Sequence, residues 1–66
     1  MNSETPSGYY EVGPSKRREF QGWYVIRFTF TDCGDCDVLE YVRDLDAAEA
    51  WFRSRQIPLN TVRVFT

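Results

Sequence analysis

The chain has no histidine and one lysine, Lys16, and its two cysteines fall in a single short stretch, Cys33-Gly-Asp-Cys36. Each scarcity excludes something. Without histidine there is no side chain that ordinarily exchanges protons near neutral pH. A nucleophile at Cys33 or Cys36 would have no base to activate it. The expectation is a protein that is not an enzyme and carries no cofactor and no metal. No apolar run approaches the roughly 18 residues that span a bilayer, so no membrane partner is expected. The opening Met1–Gly8 lacks the basic and apolar segments of a signal peptide. Two neighbouring cysteines do not staple distant parts of a small secreted domain, and a cytoplasmic protein with reduced thiols is expected.

What is present suits one small domain. Of 66 residues, 42% are apolar and 17% aromatic, too many for a disordered chain and enough for one core. Residues 1–8 read as a flexible tail and residues 9–66 as the domain. Tyr9–Val12 has the composition of a short strand, ended by Gly13-Pro14. Residues 22–31 alternate with period two: Tyr24, Ile26, Phe28 and Phe30 on one side, Trp23, Val25, Arg27, Thr29 and Thr31 on the other. A turn over residues 32–37, with Gly34 free to adopt positive φ, leads into a returning strand at 38–43. Asp46 followed by Glu49 resembles a capping box, with Leu45 as a staple onto Ala50, and predicts a helix from Ala47 to about Gln56. Pro58 ends it. A last strand is expected at Thr61–Thr66.

The resulting fold class is α+β: a β-β-α-β domain with a three-stranded antiparallel sheet, order 2-1-3, and one helix on one face. Trp51 is expected to anchor a core of Tyr24, Ile26, Phe28, Leu39, Tyr41, Val62 and Val64. The opposite sheet face, with Trp23, Arg27, Arg63 and Phe65, is either covered by Tyr9-Tyr10 or left open as a contact surface.

The Cys33–Cys36 C-x-x-C admits three readings. It can be two small turn residues, half of a zinc site shared in a metal-linked dimer, or a redox pair. Zinc normally takes four thiolate or imidazole ligands, and a redox pair wants its C-x-x-C at a helix N-terminus, whereas this one falls in a hairpin turn. The surrounding Asp32, Asp35 and Asp37 lack the spacing and terminal glutamate of an EF-hand.

Charge is unevenly spread. Residues 32–50 hold seven acids and one base, a net of −6, while the rest of the chain carries +4. Lys16-Arg17-Arg18 leads the basic part. Asp32, Asp35, Asp37, Glu40 and Asp44, none of them assigned to the helix cap, are the candidate partner-binding residues. They form an acidic surface suited to a basic groove. The competing site is the aromatic and basic mixture of Trp23, Arg27, Arg63 and Phe65, a pattern found in single-strand binders and at dimer interfaces. The net charge of −2 argues against direct nucleic-acid contact.

In length, in the acidic stretch Asp32–Glu49 and in the β-β-α-β order, the chain resembles the small anti-CRISPR proteins that phages and mobile elements encode. That resemblance implies binding rather than catalysis, inside the bacterial host. The implied function is a non-enzymatic inhibitor, monomer or weak homodimer, that occupies the basic DNA-facing surface of a CRISPR effector subunit, in the manner of a DNA mimic.

Overall fold

The alternating segment does form a strand, and it has partners on both sides. The structure, a computed structural model, describes residues 7–66. The strands are β1 (Gly8–Pro14), β2 (Tyr24–Phe30), β3 (Cys36–Val42) and β4 (Arg63–Val64), with one helix, α1 (Leu45–Ser54), between β3 and β4. The domain is therefore α+β, as expected. The sheet has four strands, however, in the order β3-β2-β1-β4. β1 lies antiparallel to β2, and β4 runs parallel to β1.

This corrects the three-stranded antiparallel sheet of order 2-1-3. The N-terminal segment does not cover a face. It enters the sheet and takes the edge of β2 that the last strand was expected to occupy. The connection over residues 15–23 makes this possible. It folds through a single 3-10 turn at Arg18–Phe20 and closes with Ser15 N–H donating to the Trp23 carbonyl at 3.0 Å. The expected tail is also shorter: Gly8 already pairs with Phe30. The remainder of that tail, residues 1–6, lies outside the described residues.

β3 differs from a regular strand by one residue. Ile26 pairs with Glu40 but Arg27 pairs with Val38, leaving Leu39 as a bulge. The bulge changes the phase of the strand, so Val42 faces the helix while Tyr41 pairs with Val25 on the opposite face. Leu39 and Tyr41 are thus not core residues.

α1 starts two residues earlier than the capping-box pattern implies. Asp44, not Asp46, is the N-cap, its carboxylate accepting from Ala47 N–H at 2.8 Å. Glu49 instead pairs with Arg53 one turn on, at 2.7 Å. The helix ends with Gln56 at φ +60°, where Ile57 N–H donates to the Phe52 carbonyl and Gln56 N–H to that of Arg53. That is a Schellman ending with glutamine in the position usually given to glycine.

The core lies between α1 and one sheet face: Val12, Ile26, Val42, Ala48 and Phe52, flanked by Tyr10, Tyr24, Trp51, Ile57 and Val62. Phe52, at 1% exposure, is the anchor, and Trp51 is only half-buried. Val64 sits on the outer edge at 71% exposure. Ala48 and Phe52, four residues apart, set the buried stripe. No helix among the described residues is long and apolar enough to cross a membrane.

Candidate functional site: the open face of the sheet

Because α1 packs on one face only, the other face presents every second residue of four strands. The pairing registers arrange these residues in rows across the sheet. One row is Arg63, Glu11, Arg27 and Val38, from β4, β1, β2 and β3 in turn. The next brings Gly13, Val25 and Tyr41 together, with Phe65 following β4 over Gly13. On the other side lie Tyr9, Thr29 and Cys36. Successive rows stand about 6.8 Å apart, two residues along a strand.

Gly13 is required at its position. A methyl group there would stand 2.5 Å from the Phe65 carbonyl oxygen and 2.6 Å from its ring. Only glycine lets Phe65 lie down across β1.

At the centre of the face an ion pair in the Glu11–Arg27 row shares its carboxylate with a hydroxyl from the row beside it. Arg27 Nε donates to Glu11 Oε1 at 2.7 Å, and Thr29 Oγ1 donates to the same oxygen at 2.7 Å. The Arg27 guanidinium lies 3.9 Å from the centre of the Phe65 ring, and that of Arg63 lies 4.0 Å from the centre of Tyr9. Burial alone would push the Glu11 carboxyl up. The hydrogen bonds from Thr29 and Arg27 and the charges of Arg27 and Arg63 outweigh it and hold the carboxyl below its usual value of 4.5. A carboxyl lowered in the folded state stabilises the fold above the unfolded value, and that contribution disappears as pH falls through the folded one. Wild type should therefore lose melting temperature on acidification below about pH 4, and Glu11→Gln should flatten that loss. Thermal melts of both proteins against pH test this, and parallel curves would remove Glu11 from the account.

One end of the face is aromatic. Phe20, brought in by the 3-10 turn, stacks on Tyr41 with ring centres 3.9 Å apart and planes 2° from parallel. It also meets Trp23 edge to face at 5.4 Å, and Arg43 lies 4.9 Å from the centre of that indole. Between Tyr41 and Phe65, floored by Val25, is a groove of about 200 Å³ bordered by Lys16, Arg17 and Arg27.

The four residues Trp23, Arg27, Arg63 and Phe65 thus share one face, as their alternation implies. Tyr9, Glu11, Phe20 and Tyr41 belong with them, and the sequence alone does not place them there. Tyr9 and Glu11 do carry a usable signal, being two apart in a strand-like segment.

The acidic candidates are placed differently. Asp32 and Asp35 lie in the β2–β3 turn, Asp37 and Glu40 on β3, which is an edge of the sheet, and all four are exposed. Among the described residues none of the four takes part in a salt bridge. Asp44 does not belong with them, because its carboxylate is committed to capping α1. Cys33 and Cys36 are exposed free thiols of the same turn, where Gly34 has φ +78°. Among the described residues no three metal-binding side chains cluster. Against known protein families, curated proteins and solved structures, the chain matches none.

Proposed function

We propose that this chain is a non-enzymatic binding module that takes nucleic acid on the open face of its sheet. The observation that carries the reading is the separation of charge by the fold. A chain of net charge −2 turns most of its described acids toward one edge, the hairpin turn and the helix, while Lys16, Arg17, Arg27, Arg43 and Arg63 gather on or beside one aromatic face. The two carboxylates near these cations are already engaged, Glu11 with Arg27 and Glu19 with Arg17. The Arg17–Glu19 pair is more than half exposed on both sides, so a phosphate displaces it at little cost. Net charge is thus a poor guide here, since contact depends on the local field.

Binding of a labelled oligonucleotide should weaken steeply with salt. Arg63→Ala should lower affinity for every sequence to a similar extent and reduce the salt slope by about one. Arg63 is exposed, so the variant should fold normally. An unchanged slope would mean that the open face does not carry the phosphates.

A second reading is favoured by the four exposed acids Asp32, Asp35, Asp37 and Glu40 along an unpaired sheet edge. It is the anti-CRISPR-like inhibitor, docking this edge on the basic DNA-facing surface of a bacterial defence complex. Reversing Asp35, Asp37 and Glu40 to lysine separates the two. The open-face reading expects equal or tighter oligonucleotide binding, and the inhibitor reading expects loss of competition with DNA for an effector.

A further inference from the structure

We propose that the groove between Tyr41 and Phe65 takes one unstacked base of a single-stranded nucleic acid, with the adjoining phosphate on Lys16 and Arg17. This rests on the open-face reading and narrows it to a strand type and a contact. The groove holds about 200 Å³, less than pockets built for drug-sized molecules and suited to one planar ring system. Its floor is the buried side chain of Val25, and its sides include one aromatic ring from each flank. Its border supplies three cations, Lys16, Arg17 and Arg27, the last two ion-paired with Glu19 and Glu11, which lie outside the lining. An apolar groove beside clustered positive charge complements a ligand that is apolar at one end and anionic at the other. A nucleotide has that form.

The strand type follows from what the slot needs and from what surrounds it. A base enters only if its faces are free, and in a duplex they are covered by stacking. A duplex laid across the sheet would also meet the acidic turn and edge at Asp32, Asp35, Asp37 and Glu40. A single strand can follow the basic side of the face from the groove and meet that edge only at Val38 and Tyr41. Stacking on aromatic rings tolerates any base, so little sequence preference is expected.

The test measures anisotropy of three labelled ligands on the full chain at fixed salt. They are oligo(dT) of about twelve nucleotides, within the range that small single-strand sites cover, an abasic strand of equal length and charge, and a duplex of equal length. Wild type should bind oligo(dT) about tenfold tighter than the abasic strand and tighter than the duplex. Val38→Trp, placed at a position 53% exposed so that folding is not at risk, should fill the groove and remove the advantage over the abasic strand. Tyr41→Leu should shrink it, and circular dichroism reports whether the Phe20 stack's loss unfolds the protein. Equal binding of oligo(dT) and abasic strand, or tighter binding of the duplex, overturns base capture while leaving the open-face reading in place. Retention of the full preference by Val38→Trp overturns it too. Absence of binding to all three ligands at low salt overturns both.

Discussion

Phe52→Ala should remove half or more of the free energy that holds the domain folded. Phe52 is 1% exposed and packs with Ile26, Val42, Ala48 and Val12, in edge-to-face contact with Tyr10 and Trp51. Emptying a fully buried phenylalanine costs roughly 3–5 kcal/mol through lost transfer energy and the cavity left behind. A chain of 66 residues has a total stability on the order of 3–10 kcal/mol, so little margin remains. Trp51→Ala should cost less, about 1–2 kcal/mol, because Trp51 is half-buried and carries the Arg55 guanidinium 3.9 Å from the centre of its ring. Chemical denaturation of the two variants side by side checks the assignment. If Trp51→Ala were the more damaging, the helix would dock by a different face.

Arg27→Leu should destabilise by about 2–3 kcal/mol. The Glu11 side chain is 12% exposed and Arg27 is 30% exposed, so removing the guanidinium leaves a nearly buried carboxylate with one hydroxyl donor. The value falls below that for a wholly buried broken pair because water reaches Arg27. Two checks are specific to this cause. Changing both residues to leucine should recover most of the loss, since the stranded charge is gone. Acidification should also shrink the deficit of Arg27→Leu, because a protonated Glu11 has no charge to strand. A deficit that persists at low pH and in the double variant would assign the effect to lost packing on Phe65 instead.

Much of this architecture can be read from the residues, and the misreadings have definite causes. β2 is legible because its alternation is unbroken and its side chains are β-branched or aromatic. The existence of α1 is equally plain, but its phase is not. Asp44 and Asp46 are both suitable caps, and Trp51 and Phe52 are adjacent large aromatic residues of which only the packing selects Phe52 for burial. β1 is legible over Tyr9–Val12, but its full extent and its place in the sheet are masked by Gly8, Gly13 and Pro14, residues that usually weaken or end strands. Here Gly13 makes room for Phe65, a contact formed with the far end of the chain that no local pattern announces. Regular alternation puts Tyr41 in the core, and the bulge at Leu39 breaks the period on which that face assignment depends. The site divides along the same line. Trp23 and Arg27 follow from alternation in one strand, whereas Phe20 arrives through a turn with no period. Asp44 passes for a free acid only as long as the helix is started two residues too late.

The position of β1 inside the sheet bears on the order in which the molecule assembles. The β2–β3 hairpin and the β1–β2 pair join neighbours in sequence and can close early. β4 can only add to an edge that β1 has already created, and it joins a strand from the opposite end of the chain. Lys16 Nζ and the Thr66 carbonyl, 3.4 Å apart in space, are separated by 50 residues. Closing so long a loop carries an entropic cost that grows with its length and is met before β4 makes any stabilising interaction. Arg63 and Phe65 are therefore expected to reach their places last, completing the open face after the rest is folded. Weakening β4 should accordingly hasten unfolding and leave the folding rate nearly unchanged.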